Sequence, residues 1–160
     1  MSGCHCAIIT ISDTRTPDTD ESGRCIREML EHSGQEVMLY CLLPDEPALV
    51  RRQLEAWSVE AALDSIILNG GTGIAPRDTT YDVLRTMLEK ELPGFGEIFR
   101  ALSWEQVGSR AIASRATAGI YRGKVVFSLP GSTRAVRLAM EKLILPELEH
   151  LVRQVRGEGH

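Results

Sequence analysis

The stretch Ile66-Ile67-Leu68-Asn69-Gly70-Gly71-Thr72-Gly73 constrains this chain more than any other. An apolar, β-branched run passes without a spacer into a cluster of glycines, and Ile74-Ala75-Pro76-Arg77-Asp78 then leads into a helical pattern. A strand that ends this way must turn sharply. Glycine admits φ > 0 and lets a ligand approach the main-chain N–H groups closely. Such N–H groups, next to a helix N-terminus, attract anions. Asp78 contributes a carboxylate, which suits a metal ion better than a bare phosphate. The junction therefore predicts a site for a phosphorylated ligand accompanied by a cation.

The rest of the chain repeats this strand-to-turn theme. Ala7 to Ile11 reads as a buried strand ending in Ser12-Asp13, with a loop from Thr14 to Glu21. Val37 to Leu43 is a strand stopped by Pro44-Asp45, Ser65 to Leu68 feeds the glycine loop, and Lys124 to Leu129 runs into Pro130-Gly131-Ser132. Between them lie helical periodicities. Ser22 is the expected N-cap of a helix with Ile26, Met29 and Leu30 on its inner face. Val50, Leu54 and Trp57 mark a second helix. Thr79-x-x-Asp82 reads as a capping-box variant opening a third, with Leu84, Leu88 and Leu92 inward. Pro93-Gly94-Phe95-Gly96 reads as a break before a helix from Glu97 to Val107, and residues 111–119 fit either helix or irregular chain. A long helix carries Val136, Met140 and Leu143. Pro146 ends or kinks it, before Leu148, Leu151, Val152 and Val155 continue the stripe. Strands alternating with helices predict a three-layer α/β/α fold with a mostly parallel central sheet, residues 1–160 forming one domain. In such sheets ligands bind beyond the carboxyl ends of the strands. Here those ends are Ser12-Asp13, Pro44-Asp45, Asn69 to Asp78 and Pro130-Gly131-Ser132.

Several function classes drop out. A net charge of -4 argues against nucleic-acid binding. No apolar run approaches the roughly 20 residues of a bilayer span, and the N-terminus lacks signal-peptide character, so a cytoplasmic protein without membrane attachment is expected. Cys4-His5-Cys6 has no second pair at zinc-finger spacing, so no structural metal is expected, and Cys4 and Cys6 instead share one face of the first strand. A P-loop, a dinucleotide-binding fingerprint and a nucleophile elbow are all absent from the sequence. What remains is a carboxylate pair, Asp45 and Asp78, suited to Mg²⁺ held by one or two carboxylates plus substrate phosphates. Each is equally a favourable helix-start residue. Arg15, Arg77 and Arg134 are candidate phosphate contacts, and Ser132 is a candidate N-cap where a phosphate would also sit.

The set Ser12-Asp13-Thr14-Arg15, Asp20-x-Ser22-Gly23, Pro44-Asp45-Glu46, Gly70-Gly71-Thr72-Gly73, Pro76-Arg77-Asp78, Pro93-Gly94-Phe95-Gly96-Glu97 and Leu129-Pro130-Gly131-Ser132 resembles, in order and spacing, the molybdenum cofactor biosynthesis family that includes MoaB and MogA. The likeness runs over nearly the whole chain, and Phe99 to Ser103 through Ser114-Arg115-Ala116 look most like its B branch. The resemblance implies Mg-ATP-dependent adenylylation of molybdopterin with release of pyrophosphate, or else a non-catalytic molybdopterin carrier or scaffold in the same pathway. It implies Asp45 and Asp78 as functional aspartates holding Mg²⁺, and Ser12, Asp13, Gly70, Gly71, Thr72, Gly73, Arg77, Pro130, Gly131 and Ser132 as the molybdopterin- and ATP-binding set. It also implies a homotrimer or homohexamer, with other molybdenum cofactor enzymes as partners. Two departures stand out: Asp78-Thr79-Thr80-Tyr81-Asp82 replaces the family's usual Asp-Val-Thr-Pro-Glu/Asp, and Asn69 stands where threonine is frequent.

Overall fold

A computed structural model describes residues 3–158. The strands are β1 His5–Ile11, β2 Glu36–Leu43, β3 Ser65–Asn69, β4 Lys90–Glu91, β5 Thr117–Tyr121 and β6 Lys124–Leu129. The helices are α1 Glu21–His32, α2 Pro47–Trp57, α3 Thr80–Met87, α4 Pro93–Val107, α5 Thr133–Ala139 and α6 Leu145–Val155. One six-stranded sheet has the order β2-β1-β3-β6-β5-β4. β2, β1, β3 and β6 run parallel, while β5 pairs antiparallel with β6 and β4 antiparallel with β5. The expected α/β/α sandwich is therefore present, with a mixed edge.

Successive side chains of a strand point to opposite faces, and both faces here are covered. Ile8, Ile67 and Phe127 pack with Ile26 and Leu30 of α1, Phe99 of α4, Val136 of α5 and Leu148 of α6. Ile9, Leu68 and Val126 pack on the other face with Val50 and Leu54 of α2 and Val83 and Leu84 of α3. This double burial explains why the strands read as continuous apolar runs. Cys4 and Cys6 belong to the first cluster, on one face of β1 as the sequence suggested. No helix among the described residues is long and apolar enough to cross a membrane.

Local expectations fail where a nearby residue does the job better. Asp20, not Ser22, caps α1 by accepting the Gly23 N–H; Ser22 lies buried in the first turn. The Thr79/Asp82 capping box does not form, because the Thr79 hydroxyl donates to Asp45 and the Asp82 carboxylate pairs with Arg115. α3 ends at Met87, so its inner face is Val83, Leu84 and Met87, while Leu88 and Leu92 lie beyond it. Pro93 opens α4 at the position where proline's missing N–H costs nothing, rather than breaking a helix. Gly96 is inside that helix because a β-carbon there would come within 2.7 Å of the Ala116 carbonyl oxygen. Residues 111–119 divide between a 3-10 turn over Gly108–Ala113 and strand β5. At Pro146 the chain neither stops nor breaks: a π turn over Met140–Ile144, with the Leu145 N–H on Met140 O, precedes it, and Pro146 falls in the first turn of α6.

Candidate active site at the carboxyl edge of the sheet

β1 has β2 on one side and β3 on the other, so the connection leaving β1 runs toward β2 while the one leaving β3 runs the opposite way, and the edge above β1 and β3 is the topological switch point at which such sheets bind ligands. The register levels the strand ends: Thr10 pairs with Asn69, and Asn69 with Leu129. All four polar strand ends named from sequence thus meet on one edge. The Ser12 N–H donates to Leu43 O at 2.9 Å, and the Gly70 N–H to Leu129 O at 2.9 Å.

The glycines of the loop are there for contact as much as for conformation. Gly70 has φ 104° and its α-carbon faces the Ile11 carbonyl, leaving no room for a β-carbon. Gly71 has φ 69°, and a β-carbon on it would strike Thr80 Oγ1 and come within 2.7 Å of Asp45 Oδ2. A β-carbon on Gly73 would lie 2.7 Å from Asp78 Oδ2. Gly131 closes the far side against the Gly70 α-carbon.

Around this backbone lies a ring of charge. Asp45 is buried, and its Oδ1 accepts the Thr79 hydroxyl at 2.8 Å and the Thr79 N–H at 3.4 Å. Burial above all, with the Asp78 and Asp13 charges, pushes its carboxyl above the ordinary range, and the Thr79 hydrogen bonds oppose that. Asp78 is half-buried, and its Oδ2 accepts the Ala75 N–H at 3.0 Å. Asp13 takes the Arg77 guanidinium at 3.1 and 2.7 Å and the Asp45 N–H at 3.0 Å, which together hold it below the ordinary carboxylate range. Arg77 also donates to Glu46 at 3.0 Å. Arg15 donates to Ser22 Oγ at 2.6 Å and to the Gly131 carbonyl at 2.8 Å, with the Asp20 carboxylate beside it.

Sequence reasoning gave no role in the site to three residues that shape it. Arg115, at the entry to β5, sends its Nε to Gly73 O at 3.0 Å, its Nη2 to Asp78 O at 2.8 Å and both terminal nitrogens to the Asp82 carboxylate. Its own N–H donates to Thr72 O at 2.8 Å, and its guanidinium lies 5.3 Å from the Tyr81 ring centroid. Asn69, at the end of β3, donates to Thr10 Oγ1 at 2.9 Å and accepts Ser22 Oγ at 2.7 Å, a buried chain that extends through Arg15 to Gly131. A polar residue ending an apolar strand was the available signal for Asn69. Thr80 is fully buried with a hydroxyl oxygen that has no partner among the described residues, directed at the Gly71 α-carbon next to Asp45.

The structure brings together Asp13, Asp45, Gly70, Gly71, Gly73, Arg77, Asp78 and Gly131, with Thr72 buried within the loop. It spends Ser12 on a turn, where Oγ accepts the Thr14 and Arg15 N–H groups, and Ser132 on the N-cap of α5, accepting the Ala135 N–H. Pro130 precedes that cap. Arg134 lies apart, donating to Gln106 O at 3.4 Å. Electrostatically the site is acidic. Among the described residues Asp13, Asp45, Glu46, Asp78 and Asp82 share only Arg77 and Arg115, while Arg15 is balanced by Asp20. Phosphate groups approaching this edge need a cation as well as backbone N–H groups. The donor set fits Mg²⁺: among the described residues Asp45 Oδ2 and Asp78 Oδ1 carry no hydrogen bond, and hard oxygen donors are what that ion takes.

The chain as a whole is similar to known proteins. The family model described as "Probable molybdopterin binding domain" matches residues 7–150. Molybdenum cofactor biosynthesis protein B of Halalkalibacterium halodurans is 55% identical over 152 residues, covering 94% of this chain and 89% of that protein. The protein of the same name from Bacillus subtilis is 51% identical over 155 residues, covering 96% and 91%. A crystal structure of molybdenum cofactor biosynthesis protein B superposes with a TM-score of 0.94 at 44% identity, covering 98% of each chain. The tungsten cofactor synthesizing protein MoaB from Pyrococcus furiosus superposes with a TM-score of 0.87 at 37% identity, covering 98% of this chain and 99% of that one. The chain belongs to the molybdopterin-binding domain family of molybdenum cofactor biosynthesis.

Proposed function

We propose that this protein adenylylates molybdopterin with Mg-ATP. The observation that carries the reading is the pairing of a glycine loop with a surplus of carboxylates. The first offers N–H groups to phosphate, and the second makes that phosphate dependent on a divalent cation. A terminal phosphate oxygen of molybdopterin attacks the α-phosphorus of ATP. A new P–O–P bond forms, the α–β bond breaks, and pyrophosphate leaves with the electron pair. Such chemistry asks the protein for position and charge neutralisation rather than for a covalent nucleophile. Mg²⁺, when bound, supplies the charge that offsets the phosphates. Asp45 and Asp78 would hold it or its waters, and the Gly70–Gly73 and Pro130–Gly131 backbones would cradle the anions. The protein with authentic molybdopterin and Mg-ATP is expected to release one pyrophosphate per pterin consumed, with none released in EDTA. Saturable pterin binding without any ATP turnover would instead make it a carrier or scaffold in the pathway.

The apolar side chains Ile98, Trp104, Val107 and Ile112 lie exposed on α4 and the turn after it. They suit burial in a closed homo-oligomer, a trimer or hexamer. Light scattering at micromolar concentration should give three or six times the chain mass, and a monomer would overturn this. We also propose cytoplasmic action beside other molybdenum cofactor enzymes, which supply the pterin.

A further inference from the structure

We infer that Arg115 is the positioning residue of the glycine loop: it fixes where the loop's N–H groups point, without itself binding the anion. The guanidinium offers a planar fork of N–H donors. Its Nε and Nη2 hold the carbonyls of Gly73 and Asp78, which bracket the loop's outer half, and the main-chain N–H of Arg115 holds the Thr72 carbonyl. These carbonyls belong to the segment whose amides would face a bound anion. Tying the carbonyls down sets the peptide planes, and therefore the direction of the opposite N–H groups.

The rest of the side chain is built to keep the fork in place. The Asp82 carboxylate, in the first turn of α3, receives Nη1 at 3.0 Å and Nη2 at 3.1 Å, and Tyr81 lies against the guanidinium. All three guanidinium nitrogens are thereby committed to protein groups. Arg115 joins β5 to the loop and to the start of α3 across 42 residues of sequence from Gly73. Among the described residues the main chain of Ala75 to Asp78 is otherwise held only by bonds within the turn, Ala75 N–H to Asp78 Oδ2 and Asp78 N–H to Ala75 O, while the Arg77 side chain reaches out to Asp13 and Glu46. Thr79 and Tyr81, which set the Asp78–Asp82 run apart from the pattern the resemblance gave, flank the clamp: one hydroxyl serves Asp45 and one ring serves Arg115.

The test uses the full chain. Amide hydrogen exchange in the unliganded Arg115→Ala protein should rise at least about tenfold in residues 71–79, while β1 and β3 stay as protected as in the parent. Guanidinium ion at tens of millimolar should restore protection, and ammonium should not. Arg115→Lys keeps the charge without the fork and should behave like the alanine variant, which keeps the test open if that variant folds poorly. Asp82→Asn should give the same local change more weakly. Where the adenylylation reading holds, KM for Mg-ATP should rise about 10–100-fold, the scale for loss of a residue that orients a binding group. That arm rests on the proposed function, whereas exchange and rescue do not. Unchanged local exchange in Arg115→Ala, or full protection in Arg115→Lys, would overturn the assignment. So would an exchange increase spread evenly over the sheet.

Discussion

Gly70→Ala will destabilise the protein by about 3 kcal/mol and remove ligand binding at the loop. Two independent penalties add at this position. The residue sits at φ 104°, where an L side chain is strained, at a cost of roughly 1–2 kcal/mol. The new methyl would also occupy the space of the Ile11 carbonyl oxygen, and overpacking costs about 1–3 kcal/mol. Backbone rather than a flexible side chain is the obstacle, so relief requires β1 and β3 to separate at the point where Thr10 and Asn69 pair. That movement drags the Gly70 N–H away from Leu129 O and spoils the level edge on which the site depends. Gly94→Ala is the control, since nothing lies within 4 Å of a β-carbon there. It should be neutral or stabilising by up to about 1 kcal/mol. Urea unfolding of the variants, with m-values compared, measures both. A Gly70→Ala protein as stable as the parent would mean that the loop is not held between the strands as described.

The sequence carried the frame of this molecule because the frame depends on local patterns. Runs such as Ile66-Ile67-Leu68 are apolar on both faces of a covered sheet, and their turn residues lie immediately after them. Parallel pairing then gathers Asp13, Asp45, Gly71 and Gly131 on one edge with no further information. What could not be read was choice among near neighbours and contact across long separations. Asp20 and Ser22 are both good caps, and only the fold reveals that Ser22 is needed by Asn69 instead. Pro93 terminates one helical pattern and initiates another, and its sense depends on the two-residue strand before it. Arg77 stood beside the loop and looked like a phosphate contact, but Asp13 and Glu46 reach it from two other strand ends. Arg115 acts on the loop from β5, and nothing in its own sequence neighbourhood points there.

Asp45→Asn should separate function from stability. Pyrophosphate release is expected to fall about 10²–10³-fold, the scale on which removing one preorganised electrostatic contact slows a reaction that develops charge. Stability should move the other way, upward by about 0.5–2 kcal/mol, the usual gain when a site strained for function is relaxed. The reason is local. The Asp45 carboxylate is buried near Asp13 and Asp78, and its ionised form is disfavoured despite the Thr79 hydrogen bonds. Asparagine retains an oxygen for Thr79 and removes the charge. The pH dependence fixes the sign. A carboxyl whose folded pKa is raised makes the folded protein bind more protons than the unfolded chain between the two values, so parental stability falls as pH rises through that window. In EDTA the variant's advantage should therefore vanish below the unfolded aspartate range and be complete above the raised value. Parental turnover in Asp45→Asn would remove Asp45 from the chemistry. A loss of stability would make it a structural anchor for Thr79. The opposite movement of the two quantities is what a residue kept for binding a cation requires, since the feature that weakens the empty site is the one that attracts the ion.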